Sequence, residues 1–161
     1  MKLKLSMAGL SAIVLLTGCQ QATAPAPAAT MAAVTEDEAS KAFDATVASW
    51  QSMDPVKIKA VYAPDVAGFD FVAPDLVTDR AAWDKNQDAF AASKIDSVKV
   101  SGKKIQLLDG DNFVVTSLSV GTSSATPANN TTFRCTDVYH RAAGGEFAIV
   151  NEHCSAVPKE A

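Results

Sequence analysis

Apolar and polar positions along this chain repeat first with a helical and then with a strand period. Ala39, Ala42, Phe43, Thr46, Val47 and Trp50 recur every three or four residues, the spacing of a helix with one buried stripe. Thr35-Glu36-Asp37-Glu38 just before them is a capping box with acidic residues at a helix N-terminus. The pair predicts a first helix of about 17 residues with Glu36, Lys41, Asp44 and Gln51 on its wet face. Asp54-Pro55 starts a second, short helix, an N-cap followed by proline at the first helical position, which includes Val56, Ile58, Val61 and Tyr62 and ends before Pro64. Val66 to Val72 reads as a short strand closed by Pro74. Asp79 caps a third helix in which Trp83, Gln87 and Phe90 share a face.

Beyond Ser93 the alternation shortens to two. Val98, Val100 and Ile105 alternate within Ile95 to Leu108, with a break at Gly102-Lys103-Lys104. Asp109-Gly110-Asp111 supplies turn chemistry, Asn112 to Thr122 is the next strand, and residues 123 to 130 form a loop. Thr131 to Ser155 then places two β-rich runs around Gly144-Gly145, a hairpin signal. A two-residue turn on those glycines pairs Ala143 with Glu146, Arg141 with Ala148 and Tyr139 with Val150, and it sets Cys135 opposite Cys154. The order, two helices, a strand, a helix and four antiparallel strands, predicts one α+β domain with helices packed on one face of a sheet.

The first 33 residues follow neither period. Lys2 and Lys4 precede a mostly apolar stretch, Leu5 to Leu16, that is too short to span a bilayer. Leu16-Thr17-Gly18-Cys19 follows and resembles a bacterial lipobox, which implies a signal peptide at 1–18 and diacylglycerol on the Cys19 thiol. Residues 19–33, rich in Ala, Pro and Thr and free of charge, read as a lipidated tether of some tens of ångströms at most. The folded domain is expected at 34–157, with a tail at 158–161. Several acyl chains suffice for stable anchoring, and Gln20 after the cysteine implies, by analogy, an outer-membrane lipoprotein facing the periplasm. An ordinary secretory signal with Cys19 incidental is the alternative.

At 161 residues the chain is long enough for one real core. Without Lys2 and Lys4 the 14 basic residues become about 12 against 18 acidic ones, a net charge near −6. No basic cluster offers a footprint for nucleic acid, and the expected membrane contact is the lipid. Lipidation of Cys19 leaves Cys135 and Cys154 as an even pair in an oxidising compartment, and directly opposed strand positions lie within disulfide reach. Two free buried thiols are the alternative.

Trp50, Asp54, Tyr62-Ala63-Pro64-Asp65, Arg134-x-Thr136-Asp137-Val138-Tyr139-x-Arg141 and Gly145-x-Phe147-x-Ile149-Val150-x-x-His153-x-Ser155 together resemble the SnoaL-like branch of the nuclear-transport-factor-2-like (NTF2-like) superfamily. Phe147 stands where the family commonly has Trp. The resemblance covers roughly Thr35 to Ser155 and implies a cone: three N-terminal helices against a curved, mostly antiparallel sheet, with a pocket between. It also implies that a homodimer through the sheets is possible. Function does not follow from it, because this scaffold carries isomerases, cyclases, dehydratases and binding domains.

The hairpin pairing puts Arg134, Thr136, Val138 and His140 on one face with Phe147, Ile149, Asn151 and His153. Phe133, Cys135, Asp137, Tyr139 and Arg141 share the other with Ala148, Val150, Glu152 and Cys154. On the first face Arg134, Thr136 and His153 converge on a site for a carboxylate or hydroxyl, so Trp50, Tyr62, Arg134, Thr136 and His153 are the candidate ligand pocket. The same groups equally suit local partners in a half-exposed sheet. His140 and His153 lie far apart and no ligand spacing surrounds them, so no metal is expected. Relatives that transfer protons use a pocket carboxylate with hydrogen-bond donors, which makes Asp70 the candidate base and Tyr62 its partner. If Phe69 and Phe71 face the core, Asp70 faces solvent instead. The functions left standing are a non-catalytic small-molecule-binding or interaction module and, alternatively, a cofactor-independent isomerase, cyclase or dehydratase.

Overall fold

A computed structural model describes residues 32–127 and 130–158. The expected signal peptide, nearly all of the tether including Cys19, and residues 159–161 lie outside the described residues. Helices α1 (Glu36–Gln51), α2 (Pro55–Ala60) and α3 (Arg80–Ala91) pack on strands β1 (Tyr62–Phe69), β2 (Ser97–Leu107), β3 (Asn112–Thr122), β4 (Thr131–Arg141) and β5 (Phe147–Val157). The five strands form one sheet in the order β1-β5-β4-β3-β2, antiparallel except for the parallel pair β1–β5. This is the α+β arrangement expected from the residue pattern.

All three helix starts use the predicted caps. Thr35 Oγ accepts from the Glu38 backbone N–H at 3.3 Å while the Glu38 carboxylate accepts from the Thr35 N–H at 2.9 Å. Asp54 and Asp79 accept from Val56 and Ala82 in the same way. α1 buries Ala39, Phe43, Thr46, Val47 and Trp50, and α3 buries Trp83, Gln87 and Phe90. Arg80 ties the layers together, its guanidinium donating to the carbonyls of Lys59, Tyr62 and Ala63 at 2.7–2.8 Å. Those bonds fix the α2–β1 junction and with it the position of Tyr62.

Three boundaries differ from expectation. α2 stops at Ala60, so Tyr62 opens β1 rather than closing a helix, and the strand ends at Phe69 instead of Val72. Pro64 fits because β1 is an edge strand. β2 runs through the Gly102-Lys103-Lys104 stretch, its pairing shifted by one residue between Val100 and Gly102, which is a bulge rather than a break.

The terminal hairpin keeps its predicted cysteine pairing by two compensating offsets. Its loop has three residues between Ala142 and Glu146, whose backbones bond at 2.8 Å, with Gly145 at φ +89°. Arg141 therefore faces Phe147 and Tyr139 faces Ile149, not Ala148 and Val150. A second shift at Val138/Tyr139 leaves Val150 as an extra residue on β5 and restores the expected register, so Asp137 faces Glu152 and Cys135 faces Cys154. The Cα atoms of that last pair are 4.2 Å apart and the sulfurs are joined. That separation is the close approach typical of a non-hydrogen-bonded antiparallel pair.

Candidate functional site

The core face of the sheet is the one carrying Phe133, Cys135, Asp137 and Tyr139 on β4 and Ile149, Glu152 and Cys154 on β5. The bulge turns Phe147 and Ile149 toward this face, exchanging them with Ala148 and Val150 of the predicted set. Above the sheet sits a small cavity of about 40 Å³. Its wall is mostly aromatic, made by Trp50 from α1, Tyr62 from β1, Phe71, Phe90 from α3 and Phe133 from β4. Phe71 packs on Phe133 at 4.5 Å between ring centroids and edge-on to Phe90 at 5.7 Å. Gln87, Ser119 and Glu152 supply the polar part, and the Cys135–Cys154 disulfide closes one side.

A chain of hydrogen bonds runs along the polar side. Asp70 accepts from Gln87 Nε2 at 2.7 Å, and the Tyr62 hydroxyl donates to Glu152 at 3.0 Å with Gln87 Oε1 3.5 Å away. Asp70 also accepts from the Val72 N–H at 3.1 Å. β1 lies against Glu152 so closely that a Cβ on Gly68 would collide with the Glu152 carbonyl oxygen. Only glycine allows that approach.

Deeper in the cone Asp137 is fully buried, and neither carboxyl oxygen has a hydrogen-bond partner. Val115 faces it across β3 and Glu152 across β5. No Lys, Arg or His is buried among the described residues, so nothing cationic offsets Asp70, Asp137 and Glu152. Burial therefore governs their protonation. It pushes the Asp137 carboxyl up to about 7. Glu152 rises well above the usual carboxylate range through burial first, then through the charges of Asp137 and Asp70, with the Tyr62 hydrogen bond pulling the other way. Asp70 is raised by burial against the opposing bonds from Val72 and Gln87. The phenols of Tyr62 and Tyr139 are driven up by burial and by these same carboxylates. Neighbouring buried acids without a counter-ion hold protons at neutral pH rather than ionise together.

The predicted site residues separate into two places. Trp50 and Tyr62 line the cone cavity. Arg134, Thr136 and His153 do converge, but on the outer face of the sheet, where all three are exposed. That corrects their grouping with Trp50 and Tyr62, and the reason is parity: they alternate with Phe133, Cys135, Cys154 and Glu152, which face the core. There Arg134 donates to Ser155 at 2.9 Å and His153 packs on Phe69 at 5.5 Å, the local partners of a half-exposed sheet.

Asp70 points the opposite way from the alternation expected of its neighbours. It is buried and Phe69 is exposed, because Val66, Gly68 and Asp70 form the inward set and Phe71 turns into the core only after the strand has ended. The sequence reading missed Asp137, Glu152, Phe71, Phe90 and Phe133 as site residues. The available signal was the shared face of Asp137 and Glu152 with Phe133, Cys135 and Tyr139. Cys135, Asp137 and Cys154 bring ligand-type atoms within 4.8 Å of one another, but the two sulfurs are consumed by the disulfide.

No family model matches the sequence, and no curated protein does. Solved structures match the fold well. A proposed calcium/calmodulin-dependent protein kinase II association domain from Xanthomonas campestris superposes with TM-score 0.65 at 24% identity, covering 79% of this chain and 91% of that one. An NTF2-like protein of unknown function from Pseudomonas putida gives 0.65 at 19% identity, covering 77% and 87%. A proposed dehydratase of the NTF2-like family from Streptomyces avermitilis gives 0.63 at 15% identity, covering 76% and 96%. Identities this low establish the fold.

Proposed function

On the premise that this chain folds as an NTF2-like domain, we propose that it is a small-molecule-binding module held at a bacterial membrane, facing the periplasm, by a lipid on Cys19. The carrying observation is the cone itself: an aromatic-walled cavity of about 40 Å³ with Glu152 and Tyr62 hydrogen-bonded at its side. Sites for drug-sized ligands run to roughly 300–1,000 Å³. The present cavity suits a headgroup or a molecule of a few heavy atoms, with the aromatic wall holding its apolar part and Glu152 its polar end. A thermal-shift screen of small metabolites against the purified protein is the test. At least one ligand is expected to raise Tm by several degrees, and Glu152→Gln is expected to abolish that shift while leaving the far-ultraviolet circular dichroism unchanged. A screen with no shift at all overturns the reading.

A second reading is favoured by the Asp70–Gln87–Tyr62–Glu152 chain. A buried carboxyl whose affinity for protons is raised, linked to a phenol at a cavity, is the equipment of general acid–base catalysis. The structural neighbour named as a dehydratase belongs with this reading. Turnover of a screened ligand that Asp70→Asn eliminates moves the assignment from binding module to isomerase, cyclase or dehydratase.

The anchor rests on Leu16-Thr17-Gly18-Cys19 and on the charge-free tether after it. Metabolic labelling with palmitate is expected to mark the wild type and not Cys19→Ala, and the variant is expected to leave the membrane fraction. An unlabelled wild type overturns the anchor without touching the pocket.

A further inference from the structure

We propose that the cone takes a small methylated ammonium cation, an inference that rests on reading the cavity as a ligand site and names the ligand's class. Two independent features of the cavity select it. The first is the wall. Trp50, Tyr62, Phe71, Phe90 and Phe133 all line one space. Aromatic faces carry the negative end of the ring quadrupole and attract cations within about 6 Å of their centroids, and boxes of such rings are how proteins hold quaternary ammonium groups.

The second feature is the unmatched acid. Glu152 lines the cavity, Asp70 stands behind Gln87, and Asp137 lies fully buried with both oxygens unpartnered. No basic side chain is buried among the described residues to balance them. An anion entering this space meets the Glu152 carboxyl, with Asp70 and Asp137 behind the wall and no basic side chain, so anionic ligands are disfavoured. A cation seated beside Glu152 supplies the counter-charge the acid lacks and stabilises its ionised form, so binding releases the proton that burial holds there.

The wall also discriminates among cations. A metal ion or a bare ammonium needs several oxygen ligands or hydrogen-bond acceptors to replace its hydration. Beside the aromatic rings this cavity offers Glu152, Ser119, Gln87 and the Tyr62 hydroxyl, and that hydroxyl is already committed to Glu152. A methylated ammonium spreads its charge over apolar methyl groups and is more cheaply dehydrated, so aromatic rings and one carboxyl satisfy it. Size agrees: about 40 Å³ is room for roughly three waters, a head of a few heavy atoms. Any longer tail must leave the cone.

The test is isothermal titration of the full-length protein in detergent with tetramethylammonium chloride and with choline. The controls are 3,3-dimethyl-1-butanol, which replaces choline's nitrogen by carbon, and ammonium chloride. Both methylated cations are expected to bind at least tenfold more tightly than either control. Glu152→Gln is expected to weaken choline about tenfold and to leave the neutral alcohol unaffected. Phe71→Leu, at the partly exposed end of the wall, is expected to weaken choline at least threefold with the alcohol again unaffected. It decides the matter if Glu152→Gln fails to fold. Equal binding of choline and its carbon isostere refutes cation recognition while keeping the cavity as an apolar ligand site. Failure of both methylated cations to bind also refutes it, and the metabolite screen then decides separately whether the cavity binds anything.

Discussion

Raising the pH from 5 to 7.5 is expected to cost the folded domain at least about 2 to 3 kcal/mol of stability, and Asp137→Asn is expected to remove that share of the loss. The sign follows from which state holds the proton. In an unfolded chain an aspartic acid loses its proton near pH 4. Within the cone burial raises Asp137 to about 7. Between those values the native state carries a proton that the unfolded state has released, so stability declines as pH rises. The contribution is complete below about pH 4 and exhausted above about pH 7. A carboxyl raised from near 4 to about 7 is worth about 4 kcal/mol over the whole window, at roughly 1.36 kcal/mol for each pH unit it spans. Glu152 and Asp70 are raised in the same direction and steepen the decline. Glu38 and Asp96, the carboxylates held low, act oppositely, but they lie at the surface and lose their effect only in more acidic solution. Urea denaturation at pH 5, 6, 7 and 8 reads the slope directly. Asp137→Asn keeps the shape and discards that residue's titration, so its stability should exceed that of the wild type at pH 8 and fall less steeply with pH, the remaining slope being that of Glu152 and Asp70. A wild-type stability that is flat or rising over this range refutes the claim that Asp137 is buried without a counter-ion.

That expectation depends on a residue whose face was legible in the sequence and whose environment was not. Period-two alternation places Asp137 with Phe133, Cys135 and Tyr139, and this grouping is what the fold shows. The opposite alternates, Arg134 and Thr136, drew the functional reading because their chemistry is conspicuous. Polar groups on a sheet are easy to notice where they suit water and easy to discount where they interrupt an apolar face. Asp70 shows the same effect. Flanked by two phenylalanines it looks like the polar member of an alternating strand, and pattern alone sends it outward. What reverses it is Gln87, seventeen residues later on α3, whose amide donates to it in the core. No local rule reports a partner at that distance.

The helices were legible because caps and periodicity agree. Thr35, Asp54 and Asp79 each sit one residue before a helix, and the buried stripes of α1 and α3 are the predicted ones. The hairpin was legible in a different way. Its loop is one residue longer than the two glycines suggest, and a bulge at Val150 takes the offset back, so the far end pairs as predicted although the near end does not. Bulges leave little trace in composition. Burying Ile149 beside Tyr139 required one, because a regular strand that sends Glu152 and Cys154 inward would send Ile149 outward.

The second large effect belongs to that far end. Removing the disulfide, by a reductant or by Cys135→Ala with Cys154→Ala, is expected to destabilise the domain by about 3 kcal/mol and to lower Tm by roughly 10 °C. Cys135 and Cys154 are 19 positions apart, and closing a loop of about 20 residues restricts the unfolded chain by that amount in the loop-entropy description. The folded state gives up little in compensation. The bond joins residues that are already opposite in a continuous ladder, with Arg134 facing Ser155 and Thr136 facing His153 on either side. Far-ultraviolet circular dichroism should therefore be unchanged at 20 °C while the melting transition moves down. The bond also closes one side of the cavity, beside Glu152 and Phe133. The double alanine variant removes two sulfur atoms from that wall and adds a packing loss that reduction alone does not, so the variant should melt below the reduced wild type. Thiol alkylation followed by mass spectrometry fixes the redox state at each point. If both thiols are fully alkylated after reduction and Tm has not moved, the disulfide does not constrain the unfolded chain as argued. Should both alkylate without any reductant, the pairing itself is wrong.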